Sequence, residues 1–206
     1  MKTFTFFFIT FFYFCFVCTS QELNKIDKNA IYLVCRSTKS KLNIVARDFN
    51  VKDSLITHIG IAYLENNELK VYNVSNFKTN KSGSSLVSEK LESFLDIKDI
   101  VYFSIWRIQS NEEELNRLKS ILSEFEKRTI HFDNSFELKD DNYYYCSEFV
   151  YLILKKLDSS KYNFSPITIT LNSFYSKALR TEKFIYIPVD FFQLENVFEK
   201  MNEKKY

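Results

Sequence analysis

Two side chains in this sequence are suited to act together on a carbonyl group, a cysteine and a histidine. Cys146 begins a segment in which apolar residues recur at helical intervals, so it is expected at a helix N-terminus. Unpaired backbone N–H groups and the helix dipole favour negative charge there, which predicts a reactive thiolate with a lowered pKa. The N–H of Cys146 would also stabilise the oxyanion of a tetrahedral intermediate. Cys146 is therefore the candidate nucleophile, and a buried structural thiol is the alternative.

A thiol nucleophile needs a nearby base, and the chain has two histidines to supply it, His58 and His131. His58 lies two residues before Gly60, inside the β-favouring run THIGIAYL. Glycine within a strand often marks a bulge or a close approach by other atoms. His131 lies between a helix and a loop. A single histidine is more often structural, so these residues favour His58 and leave His131 as the competitor.

The third candidate is an amide that could orient the histidine ring. If residues 58–64 and 69–74 pair as a hairpin, Asn73 lies opposite the neighbourhood of His58. An amide oxygen can accept a hydrogen bond from the ring N–H and select one tautomer, a role that asparagine has in papain-like proteases. The alternative is an ordinary polar residue of a strand.

Hydrophobic periodicity predicts a mixed α+β chain that presents these residues on a largely antiparallel sheet. Ser110 and Glu113 have the spacing of a capping box and predict the start of a helix that runs to about residue 127. Strands are predicted at 30–35, 57–64, 69–74, 100–108 and 184–189, and further helices at 146–157 and 172–180.

The first twenty residues have the pattern of a secretory signal peptide. Met1-Lys2 is followed by the apolar run Phe4–Val17 and then by small residues up to Ser20. The run is shorter than the roughly 20 residues that a spanning helix needs, so cleavage after Ser20 is expected. An uncleaved or lipidated anchor is the alternative. Residues 21–206 form one predicted domain, with a periplasmic or secreted location.

Charge and cysteine usage limit the classes of function. Loss of Lys2 with the leader reduces the 28 basic residues to 27, against 26 acidic residues, so no nucleic-acid partner is expected. The chain has no HExxH motif and no cysteine cluster, so neither a metal nor another cofactor is predicted. Cys35 and Cys146 are the cysteines of the exported part, and a disulfide between them would indicate a purely structural protein.

Three segments in this order carry a resemblance to a known family. They are Thr57-His58-Ile59-Gly60-Ile61, then Phe132-Asp133 with Phe136, and then Tyr145-Cys146-Ser147-Glu148-Phe149-Val150. The pattern resembles the circularly permuted papain-like amidases of the YiiX/YaeF type, which are permuted relatives of the NlpC-type cell-wall peptidases. The histidine precedes the cysteine, as permutation requires, and the resemblance covers residues 30–150.

The resemblance implies a fold and a set of site residues. The fold would be α+β, papain-like and circularly permuted, with a central antiparallel sheet flanked by helices. Cys146 matches the nucleophile and His58 the base, while Asn73 lies where many relatives have glutamate. Tyr145 is implied as a residue that lines the site, and Glu148 matches a recurrent family residue with a supporting role.

The resemblance also implies an activity, that of an exported cysteine amidase or peptidase. Its substrate would be a cell-wall peptide, with association at the envelope surface. A lipid acyl hydrolase or acyltransferase on the same site is the alternative, because lecithin–retinol acyltransferase-like enzymes look related. A catalytically silent binding protein is a further alternative, since Asn73 carries no charge. A nucleophile bound to Cys35 would be inactive, so Cys35 is expected to be a buried thiol. The oligomeric state is left open.

Overall fold

The computed structural model describes residues 27–40, 44–96, 99–138 and 142–206. The predicted leader, residues 1–20, lies outside the described residues. The helices are α1 (Ile44–Phe49), α2 (Leu91–Leu95), α3 (Glu112–Glu126), α4 (Cys146–Leu157) and α5 (Ser173–Leu179), with a 3-10 helix at Phe191–Leu194. The strands are β1 (Ala30–Thr38), β2 (His58–Glu65), β3 (Glu68–Val74), β4 (Leu86–Lys90), β5 (Ile100–Gln109), β6 (His131–Phe132), β7 (Tyr143–Tyr144), β8 (Ile167–Thr170), β9 (Lys183–Tyr186) and β10 (Glu199–Lys205).

The centre of the fold is a six-stranded antiparallel sheet with the order β10-β5-β1-β2-β3-β4. Helix α4 packs on β2 and β3 and is itself covered by α3, while α2 contacts β3 and β4. Because helices cover a largely apolar sheet, the hydrophobic surface of each element is buried against another layer. The predicted α+β fold with a central antiparallel sheet flanked by helices is confirmed.

Strand β1 is almost completely buried, because it lies between β5 and β2 and has a core on each face. Ile31 and Leu33 belong to the core under α4, whereas Tyr32 and Val34 belong to the core on the opposite face. Side chains alternate between the two faces of a strand, so a continuous apolar run is what a strand buried on both faces requires. The same alternation decides on which face of the sheet the site residues at the ends of β1 and β2 lie.

The long helix α3 begins one residue later than its sequence pattern predicts. The N-cap is Asn111, whose Oδ1 accepts from the N–H of Glu114 at 2.8 Å, and not Ser110. The Ser110 hydroxyl instead donates to the backbone carbonyl of Asn29. Asparagine and serine cap equally well, so the tertiary contact of Ser110 decides between them.

The strand predicted at 184–189 ends earlier, at Tyr186, and pairs with β8. Beyond it the N–H of Ile187 donates to the Tyr145 hydroxyl, and Pro188 has no N–H to offer a neighbouring strand. Five strands were not predicted, β4, β6, β7, β8 and β10. Strand β10 reads EKMNEKK, which lacks an apolar face because it forms the exposed edge of the sheet.

Among the described residues, none of the helices has the length and apolar character that crossing a lipid bilayer would require.

Candidate active site

The start of α4 is tied to the chain segment that follows β9, and these contacts hold Cys146 in place. Cys146 is the first residue of α4 and is 7% exposed. The Tyr145 hydroxyl accepts from the N–H of Ile187 at 2.8 Å, and the Ser147 hydroxyl donates to the carbonyl of Ile187 at 2.8 Å. The residues on either side of Cys146 are therefore anchored to the backbone of one residue, Ile187, which helps to hold the backbone of Cys146 in place.

The environment of the Cys146 thiol contains groups that would stabilise a thiolate, but burial has the larger effect. The backbone N–H groups of Ile59 and Ser147 and the charge of Arg36 all lower its pKa. Desolvation outweighs them and raises the pKa of Cys146 to about 11. The expectation of a lowered pKa from the helix N-terminus is therefore wrong for the free protein, and the resting cysteine is a thiol.

His58 and Asn73 are joined by a direct hydrogen bond between neighbouring strands. The ring Nε2 of His58 lies 2.9 Å from Oδ1 of Asn73, as the hairpin of β2 and β3 predicts. Because the amide oxygen can only accept, Nε2 carries the proton and Nδ1 is the basic nitrogen. The ring is thus held in the tautomer that can take a proton from a thiol.

Gly60 allows the two strands to approach this closely. A Cβ atom at position 60 would lie 2.7 Å from Val71 Cγ1, 2.9 Å from the Tyr72 carbonyl oxygen and 3.3 Å from Asn73 Cβ. A side chain here would push β3 away from β2. The glycine signal in the sequence is explained by this close approach.

The His58 ring lies on the face of the sheet opposite α4, at the first residue of β2. It stacks on the Phe94 ring of α2, with centroids 5.7 Å apart, whereas Ile59 points into the core under α4. Desolvation, together with the positive charge of Arg36, lowers the pKa of His58 to about 3, although the bond to Asn73 opposes this. The resting imidazole is therefore neutral.

Behind Asn73 lies a carboxylate that sequence analysis did not identify. The Asn73 side-chain amide donates to Glu89 Oε1 at 3.2 Å and, at 3.4 Å, to the carbonyl of Val87. The other carboxylate oxygen of Glu89 accepts from Lys78 Nζ at 2.5 Å. His58 is thus connected through an amide to a buried acid. Glu89 could not be found from sequence because β4 has a weak strand pattern and its partner residue is 16 positions away.

His58 and Cys146 line one cavity of about 520 Å³, which Tyr145 also lines. The apolar part of its wall consists of Val45, Ala46, Phe49, Phe132, Phe136, Phe184, Tyr186, Ile187, Pro188 and Val189. Glu148 does not line the cavity: it is buried, and its carboxylate accepts from the N–H of Tyr145 at 3.3 Å. Its role is to support the start of α4. His131 is exposed on β6 beside Tyr143, away from the cavity.

Arg36 is a second site residue that sequence analysis did not identify. It pairs with His58 across β1 and β2, lines the cavity and is 7% exposed. Its guanidinium donates to the Phe94 carbonyl and lies 4.1 Å from the centroid of the Phe94 ring. The signal in the sequence was a cation directly after the apolar run 30–35. The run alone does not show that the strand continues through Arg36 to Thr38.

Cys35 and Cys146 are both free thiols. Cys35 is fully buried in the core of β1, and desolvation raises its pKa well above the ordinary value. The two cysteines therefore do not form the disulfide that was the alternative, and Cys35 is a buried core residue.

Comparison with solved structures identifies the architecture. A crystal structure of the metalloprotein yiiX from Escherichia coli O157:H7, described as DUF1105, aligns with a TM-score of 0.60 and 12% identity, over 88% of this chain and 99% of that chain. The chain has a yiiX-like fold. Neither a protein-family model nor a curated protein sequence matches it.

The yiiX-like fold raises the question of a metal, because yiiX is described as a metalloprotein. Within the described part of the chain, no three His, Cys, Asp or Glu side chains are grouped to hold a metal ion. The His58 ring is hydrogen-bonded to an amide, and the cross-strand neighbour of His58 is a cation, Arg36, which would repel a metal ion. These residues do not fit a metal site.

Proposed function

We propose that this protein is a cysteine hydrolase that cleaves an amide or ester, with Cys146 as nucleophile and His58 as base. The observation that carries the proposal is the hydrogen bond from His58 to Asn73 at the cavity that Cys146 lines. A neutral imidazole held in one tautomer, at a cavity that a thiol also lines, supplies the base and the nucleophile that catalysis by cysteine requires. The membership of a permuted papain-like amidase family, suggested by the order His58 before Cys146, belongs to the same proposal.

The reaction would begin with proton transfer from the Cys146 thiol to Nδ1 of His58, while the sulfur attacks the substrate carbonyl. The N–H groups at the start of α4 would stabilise the oxyanion. The imidazolium then gives its proton to the departing amine or alcohol, which leaves an acyl group on Cys146. A water molecule, deprotonated by His58, hydrolyses this thioester and restores the thiol. Because both resting groups are neutral, the proton moves only when substrate is attacked.

A cell-wall peptide is the substrate that the resemblance suggests, and export by a cleaved signal peptide would bring the enzyme to the periplasm or the exterior. A second candidate is a lipid acyl group, because the cavity wall is largely aromatic and aliphatic. Burial of an acyl chain in such a cavity is favourable by about 0.8 kcal/mol for each CH₂ group. Hydrolysis of cell-wall peptides and of acyl esters should therefore be compared on the same preparation.

The test is the alkylation of Cys146 by iodoacetamide as a function of pH, with the modified peptide quantified by mass spectrometry. We expect the rate to rise from neutral pH towards the pKa of about 11, because the thiolate is the reactive form. His58→Ala should abolish hydrolysis of any substrate found in the peptide and ester panel. The same variant should leave the thiol open to alkylation at high pH.

Cys35→Ser is the matched control, because Cys35 is the other buried free thiol but lies in the core of β1. This variant should keep both the alkylation profile and the hydrolysis. Cys146→Ser should lose both. Hydrolysis that persists in Cys146→Ser would contradict the proposed function.

A further inference from the structure

The cavity contains a cation that the proposed reaction does not use. Arg36 is 7% exposed, lies near the C-terminal end of β1 and lines the cavity. One nitrogen of its guanidinium donates to the Phe94 carbonyl, and the guanidinium carbon lies over the Phe94 ring. A guanidinium has five N–H donors, so this single bond leaves most of them for another acceptor.

No carboxylate of the described residues lies within ion-pair distance of Arg36. Glu89 is the acid that acts on its charge, but the Glu89 oxygens are bonded to Lys78 and to Asn73. The acid that lines the cavity wall, Asp96, is exposed. Lys78 is also on the wall, and its charge is neutralised by Glu89. Among the residues that the structure describes, the positive charge of Arg36 in the inner part of the cavity therefore has no counter-ion.

Burial of a charge without a partner is costly, and it lowers the pKa of Arg36 to about 10. A bound anion would remove this cost, because charge-assisted bonds between a guanidinium and a carboxylate are strong and directional. Arg36 pairs with His58 across β1 and β2 and lines the same cavity as Cys146, so an anion held by it would lie close to the reacting groups.

We propose that Arg36 binds a carboxylate of the substrate beside the bond that is cleaved. This inference rests on the proposed function of Cys146 and deepens it, since it defines the substrate class as amides or esters that carry an anionic group on one side and an apolar group on the other. The apolar group would occupy the aromatic wall around Phe49, Phe136 and Phe184.

The test compares two alkylating agents that differ in charge, iodoacetate and iodoacetamide, on the full chain. The ratio of their rates at Cys146 is measured at one pH, so that the thiolate fraction cancels. We expect this ratio to exceed that of mercaptoethanol by about tenfold, because a hydrogen bond to a charged group contributes about 1.5 kcal/mol or more. Arg36→Gln should lose the preference, and Arg36→Lys should keep most of it.

Lys78→Gln is the matched control, since it removes a cation from the cavity wall that is already paired with Glu89. Its ratio should stay close to that of the wild type. A second measurement needs no variant and remains valid if Arg36→Gln does not fold. Butyrate should protect wild-type Cys146 from iodoacetamide more strongly than butyramide does.

The outcomes separate this inference from the proposed function. The role of Arg36 would be overturned if butyrate and butyramide protected equally and if the ratio of the iodoacetate and iodoacetamide rates at Cys146 equalled that of mercaptoethanol. Cys146 would still be reactive in that case. Retention of the preference in Arg36→Gln would also overturn it. A Cys146 that reacts with neither reagent even at high pH would instead remove the proposed function itself.

Discussion

Asn73 occupies a position where a carboxylate would conflict with its surroundings. Its Nδ2 lies 3.2 Å from Glu89 Oε1, and its Oδ1 lies 2.9 Å from Nε2 of His58. The amide can serve both neighbours because it donates at one end and accepts at the other. An acidic residue at position 73 could accept from His58 but would be repelled by Glu89. A neutral residue at position 73 is thus suited to the negative charge of the adjacent Glu89.

Asn73→Asp tests this explanation. The new carboxylate should raise the pKa of His58 and lower the free energy of unfolding by about 1 kcal/mol or more, because two acids would be buried within hydrogen-bonding distance. Asn73→Asp combined with Glu89→Gln should recover the stability, since an amide at 89 can donate to Asp. The measurements are denaturant unfolding and an NMR titration of the His58 ring. Additive effects of the two changes would show that residues 73 and 89 do not interact.

At the scale of elements, the site depends on the distance between β2 and β3. Gly60 permits the contact, since a Cβ there would lie 2.7 Å from Val71 Cγ1 and 2.9 Å from the Tyr72 carbonyl oxygen. The second atom belongs to the backbone and cannot rotate away. The strands must separate to admit even a methyl group, and separation lengthens the bond between His58 and Asn73.

Gly60→Ala should therefore destabilise the protein by about 1–3 kcal/mol, as expected for insertion of a methyl group into a packed interior. The variant should also lose hydrolysis more than stability alone explains, because His58 is no longer oriented. Gly83→Ala is the control, because Gly83 has φ of 80° and open space around it, so only backbone strain results. Urea unfolding and activity on the best substrate are the measurements. Full activity of a stably folded Gly60→Ala protein would exclude an orienting role for the close approach.

At the scale of the whole molecule, the site is a pair of buried neutral groups, Cys146 and His58, that line one cavity. Desolvation raises the pKa of Cys146 to about 11 and lowers that of His58 to about 3. Both directions disfavour the charged forms, which is the effect of a low-dielectric interior on groups that are not ion-paired. Folding therefore keeps both groups in their neutral forms.

Burial of a neutral histidine makes stability depend on pH. The unfolded protein binds a proton at His58 below pH 6.5, whereas the folded protein does so only near pH 3. The unfolded state thus binds more protons between these values, and the free energy of unfolding falls as the pH decreases through this window. His58→Asn should reduce this fall.

His131→Asn is the control for the pH experiment, because His131 is exposed on β6 and its loss removes no buried group. Free energies of unfolding from urea titrations at several pH values between 3 and 7 provide the comparison. Identical curves for the wild type and His58→Asn would mean that His58 is accessible to protons in the folded state.

Local sequence patterns predicted several of the strands and helices. The runs 57–64 and 69–74 correspond to β2 and β3, and the apolar period after Cys146 corresponds to α4. Such runs are predictable because burial on one or both faces imposes a period of 2 or 3.6 residues. The exposed β10 carries no such period, and the end of the strand predicted at 184–189 is set by the Ile187 contact with Tyr145.

The sequence by itself also predicted that Asn73 would lie near His58 if the two runs pair as a hairpin, and the structure places the two side chains in a hydrogen bond. It did not determine Arg36 and Glu89 as site residues, or the directions of the pKa shifts at Cys146 and His58. Those depend on which groups folding brings together and on how completely water is removed from them. Desolvation is a property of the packed interior, and no local pattern of residues contains it.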